Sequence, residues 1–369
     1  MDSTPIQTSM AGSVWTVTGP MKPEQLGTAI MHEHIFIDFW LDKAPGYNAP
    51  VTDVDVWNQK LTLENLHLDR EGKRIKDNYL LTDENLAVSE LQYFKNLGGQ
   101  TVVDVTSIGL GRDPLALRRV ANAAGLNIVM GAGWYQKAYH PKDMDLRTVE
   151  DLTEEIIQDI VQGVNGTGIR SGIIGEVGIN GNPLTTNEIK SIKASARASR
   201  TTGAAITFHQ GGTDREKLEV ASILGEEGAD LTRVVFGHSN SYASDVPLLL
   251  ELLELGVYIQ FDTLGRVGAP VARYPNNFDQ GLNRLYPAAN DVLVAEAIPQ
   301  IIQAGYEDRL LLSQDVCFKT HLKAYGGTGY SFVMEKFLPY LRTVGVTDQQ
   351  INKMMVENPM RVLTFVEAE

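Results

Sequence analysis

Short apolar runs that alternate with amphipathic stretches constrain the fold of this chain more than any other feature. The apolar runs are rich in strand-forming residues and comprise Ala29–Ile37, Thr101–Thr106, Asn127–Ala132, Ser171–Val177, Ala204–His209, Arg233–Gly237, Val257–Asp262 and Arg309–Asp315. The stretches between them carry apolar residues at helical spacing and comprise Glu84–Leu97, Leu115–Ala124, Val149–Gly163, Thr186–Thr202, Arg215–Glu227, Val246–Leu255, Val292–Gly305 and Phe332–Val344. Alternating strands and helices indicate βαβ units and a parallel sheet. Eight such units predict an α/β fold of the (β/α)8 barrel type rather than an open sheet.

The whole chain, residues 1–369, is predicted to form one domain, because a barrel of this type uses about 250 residues or more as a single unit. Within residues 1–27, the segment Ser13–Gly27 predicts an N-terminal hairpin or plug. Two longer irregular segments, residues 39–82 and 263–291, each follow a predicted strand. We therefore expect them at the C-terminal face of the barrel, as insertions that shape the mouth of a pocket.

Charge and cysteine content argue against several classes of protein. The formal net charge is −14, from 46 acidic and 32 basic residues, which argues against a nucleic acid or an anionic membrane as a partner. No apolar run reaches the roughly 18 residues of a membrane span, and Met1–Pro20 lacks the basic and apolar regions of a secretory signal. The single cysteine, Cys317, excludes an internal disulfide and fits a reducing compartment. We therefore expect a cytoplasmic protein.

The predicted strands end in histidines and carboxylates. His32 and His34 are two residues apart on the first strand, so both side chains face one direction, as two imidazoles that share a metal ion must. The other strand-end residues of this kind are Glu176, His209, His238 and Asp315. In a (β/α)8 barrel the carboxyl ends of the strands meet on one face, where active sites are built. The six residues are therefore predicted to converge as a set of metal ligands.

Imidazoles and carboxylates together suit Zn, Mn, Fe, Co or Ni rather than Ca or Mg, and zinc is the ion that we expect first. Six ligands exceed the four of a tetrahedral zinc, so the number predicts two divalent ions about 3.5–4 Å apart. One ion is expected to be bound by His32, His34 and Asp315, and the other by His209 and His238. Glu176 is expected to bridge the two ions. A hydroxide shared by the two ions would be a nucleophile at neutral pH, and Asp315 would orient it and carry its proton to the leaving group.

Other polar residues have simpler predicted roles. His67 lies in the polar insertion and His140 in a loop beside Pro141, and both are predicted to be structural. Glu33 points away from the metal side on strand geometry, which predicts a buried residue that forms hydrogen bonds or an ion pair. Asp104 ends the second strand, where it either supports the ligands or forms a buried ion pair. The run Gly326-Gly327-Thr328-Gly329 lacks the lysine of a P-loop and predicts a tight turn rather than a phosphate cradle.

The predicted loops also supply candidate pocket residues. His321 follows Asp315 by six residues in the eighth loop, within reach of the pocket. Aromatic residues of the two insertions either line the leaving-group side of the pocket or form the core of a lid; they are Phe39, Trp40, Tyr47 and Tyr274.

Several stretches resemble the phosphotriesterase family of the amidohydrolase superfamily, and within it the phosphotriesterase-related branch, also described as resiniferatoxin-binding proteins. The matching stretches lie between about Gly19 and Phe365 and comprise Met31-His32-Glu33-His34, Gly109-Leu110-Gly111-Arg112-Asp113, Gly131-Ala132-Gly133-Trp134-Tyr135, Gly172-Ile173-Ile174-Gly175-Glu176-Val177-Gly178, Gly237-His238, Asp315 with Lys319-Thr320-His321, and Gly326-Gly327-Thr328-Gly329-Tyr330. The resemblance implies a (β/α)8 barrel, a binuclear metal centre on the six residues above and, by default, a homodimer. The best-known members bridge their metals with a carboxylated lysine, whereas this chain has Glu176 there, as the phosphotriesterase-related branch does.

The resemblance also implies residues that bind substrate. Tyr135, preceded by Trp134, matches a tyrosine of the family's lactonases that touches the substrate carbonyl near the metals. Those lactonases also have a pocket arginine directly after the aspartate of the seventh strand. This chain does not match it there, because Thr263 follows Asp262. Arg266, three residues further on, is the candidate substitute, alongside His321 of the eighth loop.

The residues and the resemblance together predict a metal-dependent hydrolase of a small molecule. In the first expectation, the hydroxide attacks the carbonyl of a lactone or other carboxylic ester, with phosphotriester cleavage as a side activity. The alternative is hydrolysis of an N-acyl amide, such as an N-acyl amino acid or an N-acyl taurine. Two rivals are a non-catalytic small-molecule-binding barrel, which the six intact ligands disfavour, and a mononuclear deaminase-type enzyme, which would not need Glu176 as a bridge.

Overall fold

Parallel strands form the central sheet of the computed structural model, which describes residues 10–40, 54–71, 73–179, 183–210, 215–266 and 291–368. The eight strands are β1 (Ala29–Glu33), β2 (Thr101–Asp104), β3 (Asn127–Ala132), β4 (Ile173–Ile179), β5 (Ile206–Gln210), β6 (Val234–Phe236), β7 (Tyr258–Phe261) and β8 (Leu310–Leu312). Each strand pairs in parallel with the next one along the chain. This sequential order is that of a barrel.

Hydrogen bonds between the residues that follow β8 and the end of β1 close the sheet. The His34 N–H donates to Val316 O at 3.1 Å, and the Asp315 N–H donates to His32 O at 3.1 Å. The His32 N–H also donates to Ser313 Oγ at 2.9 Å. The sheet therefore closes on itself, and the predicted (β/α)8 barrel is confirmed.

Helices follow the strands and cover the outside of the barrel. The longer ones are Glu84–Asn96, Pro114–Ala124, Val149–Val161, Thr186–Thr202, Glu216–Glu226, Val246–Glu254 and Asp291–Gln303. Shorter ones are Val54–Trp57, Leu66–Arg70, Leu338–Thr343, Asp348–Asn352 and Asn358–Leu363. The side chains of Asp83, Asp113 and Thr185 accept backbone N–H bonds at helix starts, which satisfies donors that a helix leaves unpaired. Among the described helices, none combines the length and the apolar character that crossing a bilayer requires.

The helix predicted over Phe332–Val344 is not uniform. Its first part, Val333–Phe337, is a π-helical turn, and the α-helix Leu338–Thr343 follows. Pro339 lacks the N–H that would bond four residues back, so the ladder opens just before it. The same arrangement recurs at Lys353–Glu357, which precedes Pro359.

The predicted first strand, Ala29–Ile37, is also divided in the structure. Its second part forms a separate two-stranded sheet in which Ile37–Asp38 pairs with Leu80–Leu81. The break follows from hydrogen bonding, because the Ile35 N–H donates to the Asp104 carboxylate at 2.6 Å instead of continuing the barrel ladder. The chain therefore leaves the barrel just after the two histidines.

The two ends of the barrel differ in chemistry. An antiparallel hairpin of Val14–Thr16 with Gly19–Met21 packs with Leu26 on the apolar residues of the barrel interior. Polar side chains gather at the opposite end, where the strands finish. In the described part of residues 39–82, Asp77 pairs with Lys60 and, in the loop after β8, with Lys319, each at 2.8 Å. Tyr47 and Tyr274 lie outside the described residues.

Candidate metal centre

Six side chains converge at the carboxyl ends of β1, β4, β5, β6 and β8. We call them the ligand cluster; its members are His32, His34, Glu176, His209, His238 and Asp315. Glu176 lies at its centre, with Oε2 3.1 Å from His32 Nε2 and Oε1 3.2 Å from His34 Nε2. Asp315 Oδ1 lies 3.4 Å from His34 Nε2 and 4.0 Å from His32 Nε2. These three residues form the first group around Glu176.

The second group lies on the other side of Glu176. His209 Nδ1 is 2.9 Å from Glu176 Oε2 and 2.7 Å from His238 Nε2. His238 Nε2 is in turn 3.9 Å from Asp315 Oδ2. Glu176 therefore contacts histidines of both groups through its two oxygens, which is the position that a bridging carboxylate requires.

Two members of the ligand cluster have a left-handed backbone. His238 has φ 50° and Asp315 has φ 52°, a region that residues other than glycine rarely occupy and that costs about 1–3 kcal/mol. Each residue comes shortly after its strand ends, where the chain must turn. Asp315 is held in this conformation by its N–H bond to His32 O.

Glu33 holds the segment that carries Asp315. Its carboxylate is fully buried and accepts bonds from Ser313 Oγ at 2.7 Å and from the Gln314 N–H, Gln314 Nε2 and Val316 N–H at 2.8 Å. Burial raises the pKa of Glu33 to about 7, although the bond from Ser313 opposes the shift. These contacts agree with the prediction that Glu33 points away from the metals and forms hydrogen bonds.

Outer partners fix how the imidazoles face the centre. Asp262, at the end of β7, accepts from His238 Nδ1 at 2.7 Å, and its other oxygen lies 3.2 Å from His32 Nδ1. Thr106 donates its hydroxyl to a backbone oxygen, so its Oγ1 accepts from His34 Nδ1 at 2.8 Å. With Nδ1 protonated, each of these three rings directs a lone pair at Nε2 towards the centre.

Sequence reasoning assigned no role to Asp262 or Thr106. The available signal was the position of Asp262 at a strand end, on the same face as the ligands. Asp104, for which two roles were open, accepts bonds from the backbone N–H groups of Ile35 and Thr106. It therefore supports the loop that carries His34.

The electrostatics of the ligand cluster are those of a site with excess negative charge. Burial opposes the charged form of His32, but Asp262 and Glu176 raise its pKa to about 9. Burial acts in the same way on His34, whose hydrogen bonds to Asp315 and Glu176 raise its pKa to about 10. His209 behaves in the opposite way, because burial and the neighbouring His238 lower its pKa to about 4. Without a metal, the neighbouring carboxylates thus favour the protonated forms of His32 and His34.

Three observations fit the ligand cluster to divalent metal. His32 Nε2 is buried and has no hydrogen-bond partner among the described residues. His209 and His238 direct nitrogens at each other across 2.7 Å, a spacing that suits ligands of a shared cation. Either of two groups of ligand atoms, within 4.8 Å of one another, could hold an ion, and both groups include His32: His32, Glu176 and His238; and His32, His34 and Asp315. The four imidazoles and two carboxylates are a donor set for first-row transition metals.

Some of the predicted substrate-binding residues lie beside the ligand cluster and others do not. The Tyr135 hydroxyl lies 3.0 Å from His209 Nε2 and 3.1 Å from its Nδ1, beside the ligand cluster. Arg266 donates to the Asp315 carboxylate and, at 3.2 Å, to the Asp315 backbone oxygen. Trp134 is fully buried with the Arg147 guanidinium 5.5 Å from its ring centre. Since Tyr135 points inward, alternation directs Trp134 towards the helices, and its substrate role remains a prediction.

His321 and His140 take different positions in the loops. His321 Nδ1 accepts the Cys317 N–H at 3.3 Å, and burial together with Arg266 lowers the pKa of His321 to about 3. His140 Nε2 donates to Tyr135 O at 2.8 Å, which supports the segment that carries the tyrosine.

A row of aromatic rings connects the Tyr135 side of the centre with His321. Ring centres are 5.3 Å apart for Tyr135 and Tyr139, 5.8 Å for Tyr139 and Phe39, 5.5 Å for Phe39 and Phe318, and 4.9 Å for Phe318 and His321. Such spacings are those of favourable aromatic pairs. We call this row the aromatic wall; Trp40 packs behind it against Tyr79 and Trp57. Phe39 thus belongs to the wall, whereas Trp40 belongs to the core of the insertion.

Known proteins match this chain along almost its whole length. The model of the phosphotriesterase family matches residues 12–363. An N-acetyltaurine hydrolase from Dictyostelium discoideum is 34% identical over 98% of this chain and 100% of its own length. A crystal structure of a resiniferatoxin-binding protein from Rhodobacter sphaeroides has a TM-score of 0.87 at 34% identity, covering 98% of this chain and 100% of that one. A lactonase from Listeria monocytogenes has a TM-score of 0.75 at 25% identity, covering 96% and 100%.

Proposed function

Because the chain belongs to the phosphotriesterase family, we propose that it is a two-metal hydrolase of N-acyl amides whose amine part carries an anionic group, such as N-acetyltaurine. Hydrolase activity of this family requires a binuclear centre, and the ligand cluster offers one. The observation that carries the proposal is Glu176, which lies within 3.2 Å of His32, His34 and His209 at once. The amide substrate is supported by the relatives named N-acetyltaurine hydrolase, which match nearly the full length.

The residues of the ligand cluster have two proposed roles, metal binding and proton transfer. Two divalent ions held there would lower the pKa of a bound water and polarise the scissile carbonyl. Asp315 lies between His34 and His238, so its carboxylate can take the proton of the attacking water and pass it to the leaving nitrogen. Asp315 suits this relay because Arg266, His34 and His238 keep its pKa well below the ordinary value despite burial. It is therefore ionised before each turnover.

Tyr135 is placed to act on the carbonyl end of the substrate. Its hydroxyl is beside His209, and burial together with Glu176 raises its pKa well above the ordinary value. It therefore remains a protonated donor, which can hydrogen-bond the carbonyl oxygen as negative charge develops there. The aromatic wall that begins at Tyr135 would cover the acyl group.

Lactone hydrolysis is the second candidate. The similarity to the Listeria lactonase favours it, as does the position of Tyr135. A lactone and an amide present the same carbonyl to the centre, but only the amide nitrogen requires a proton before it can leave. Dependence on Asp315 should therefore be stronger for an amide than for an activated ester.

The test combines metal analysis with a substrate panel. We expect close to two equivalents of metal on the purified protein, and turnover of N-acetyltaurine above that of N-acyl amino acids, lactones and an aryl phosphotriester, each with Zn, Mn and Co. Asp315→Asn, purified in parallel, controls for contaminating hydrolases. One equivalent of metal would support the mononuclear rival. Tight ligand binding without metal or turnover would support the binding protein.

A further inference from the structure

We infer that Lys217 is a positioning residue, which holds the peptide between Gly237 and His238 and thereby keeps the His238 imidazole oriented as a metal ligand. The inference rests on the metal centre of the proposed function, and it does not depend on which amide is cleaved. Lys217 lies in the helix Glu216–Glu226, which follows β5, and its side chain is fully buried. It is neither a member of the ligand cluster nor part of the proton relay.

Both sides of the peptide between Gly237 and His238 are hydrogen-bonded. On one side, Lys217 Nζ donates to Gly237 O at 2.8 Å. On the other side, the His238 N–H donates to the Asp262 carboxylate, at 2.9 Å from Oδ1 and 3.0 Å from Oδ2. Asp262 also accepts from the ring of His238, at Nδ1. Lys217 and Asp262 therefore fix the backbone at His238 from opposite sides, and Asp262 fixes the ring as well.

This arrangement opposes a rotation that would relieve backbone strain at His238. The φ of His238 is 50°, in the left-handed region that residues other than glycine rarely occupy. Rotation of the peptide would return φ to the usual negative range, but it would break the bonds to Lys217 and to Asp262. Without the bond from Lys217, Asp262 alone would oppose the rotation. The His238 imidazole would then be held less firmly.

Gly237 brings this peptide close to the outer partners of the metal ligands. The Gly237 N–H donates to Phe208 O at 3.0 Å. A Cβ on Gly237 would lie 2.6 Å from Phe208 O and 2.8 Å from Asp262 Oδ2, so a side chain at this position would displace the backbone or the carboxylate. The carbonyl that Lys217 contacts therefore belongs to a segment packed directly against Asp262, the outer partner of His32 and His238.

The surroundings of Lys217 show what the amine contacts. Among the residues that the structure describes, Gly237 O is its one hydrogen-bond partner, and the rings of Phe236 and Tyr242 lie 5.4 and 5.2 Å from Nζ. Burial lowers the pKa of Lys217 to about 7, although Asp262 opposes the shift. The ammonium and the neutral amine both carry N–H donors, so the bond to Gly237 O does not depend on charge. An apolar side chain would cost less to bury, which points to a role beyond packing.

Lys217→Met tests the assignment by zinc titration of the metal-free protein. Methionine has a similar shape but cannot donate to Gly237 O. In competition with a chromophoric chelator, we expect one of the two zinc affinities to fall about 10- to 100-fold and the other to stay within about threefold of wild type. The metal-free Tm should stay within about 4 °C of wild type, because the loss of the bond and the removal of a buried amine oppose each other.

Lys95→Met is the matched control. Lys95 Nζ also donates to backbone oxygens, those of Ala124 and Gly125, each at 2.8 Å. This contact lies where β3 begins, at the end of the barrel away from the ligand cluster, so the control should bind zinc as the wild type does. Unchanged zinc affinities in Lys217→Met would overturn the assignment. An equal loss in both variants, or a lowered Tm with both zinc affinities reduced alike, would also overturn it.

Histidine ring signals test the positioning of His238 without metal. In proton–nitrogen correlation spectra of the metal-free protein with labelled histidine, Lys217→Met should shift or broaden the His238 ring signals. Those of His34, whose Nδ1 contacts Thr106, should not change. If the wild type binds no zinc, the proposed function fails, and these spectra still test the role of Lys217. Unchanged His238 signals would then overturn that role.

A second variant keeps the test decisive if Lys217→Met does not fold. The amide of Lys217→Gln is one bond closer to the backbone and cannot reach Gly237 O, so the same zinc affinities and ring signals are expected. If neither variant folds, Lys217 supports the fold as a whole rather than His238, and the assignment is overturned.

Discussion

Replacing Asp262 by asparagine tests how the outer partners of the histidines control the metals. Asp262 Oδ1 accepts the backbone N–H of His238 at 2.9 Å and its Nδ1 at 2.7 Å, whereas Oδ2 faces His32 Nδ1 at 3.2 Å and Gln260 Nε2 at 2.9 Å. Asparagine has one oxygen, which should remain with His238. Its amide group would then face His32 Nδ1, so a donor would meet a donor.

The expected loss of affinity follows from the carboxylate oxygen that His32 Nδ1 now faces at 3.2 Å and would no longer face. A loss of about 1.4–2.8 kcal/mol in binding free energy corresponds to about one to two factors of ten. One metal should therefore bind about 10- to 100-fold more weakly, the range observed when an outer partner of a metal ligand is removed. The second metal should change less, because His238 keeps its bond.

Zinc titration of the metal-free protein, in competition with a chromophoric chelator, measures both binding steps. Asp245→Asn is the matched control: Asp245 caps the helix Val246–Glu254 from an exposed position, where asparagine is an equivalent cap. It should bind zinc as the wild type does. If both zinc affinities of Asp262→Asn lie within twofold of wild type, Asp262 does not orient His32 and the reasoning is refuted.

Three further predictions concern the ligand cluster and its support. Asp315→Asn should lower kcat by at least about 100-fold while metal analysis still finds two equivalents; full turnover would exclude proton transfer by Asp315. Glu33→Gln should lower the free energy of unfolding by about 1–3 kcal/mol, measured with urea, because glutamine cannot satisfy every donor that Glu33 now accepts; unchanged stability would contradict this. In the metal-free protein, the raised pKa values of His32 and His34, about 9 and 10, contribute stability that is complete below the unfolded value near 6.5 and is lost as pH rises through 9–10. Its Tm should thus fall from pH 6.5 to 10, more steeply than that of the zinc-loaded protein, and a flat profile would count against protonated imidazoles.

The fold was predictable because apolar periodicity is a local signal. The strand Asn127–Ala132 and the helix Thr186–Thr202 have the predicted bounds. Two strands extend further towards the centre than predicted, to Ile179 and Gln210, whereas the remaining strands end earlier there. The last one ends at Leu312 rather than Asp315, because Asp315 turns into a left-handed conformation. The convergence of the six side chains was predictable because they lie at or near the ends of strands, and strand ends meet on one face of a barrel.

The hydrogen-bond partners of the ligands could not be predicted, because they lie far from the ligands along the chain. Asp262 lies 24 residues from His238, and Thr106 lies 72 from His34, so no local spacing relates a ligand to its outer partner. The π-helical turn before Pro339 shifts the helical period where a uniform pattern was expected. The choice between Phe39 in the wall and Trp40 in the insertion core depends on packing, which residue type alone does not determine.

The contact between Glu33 and the segment after β8 has a consequence for assembly. It joins residues 281 positions apart, and β1 and β8 meet nowhere until the intervening strands are in place. Contacts of such long range form late and slow the folding of a chain. A cation bound by both His32 and Asp315 would link the first strand of the barrel to the segment that follows the last strand. The site would thus be complete only once the first and last strands lie side by side, so it depends on closure of the whole barrel.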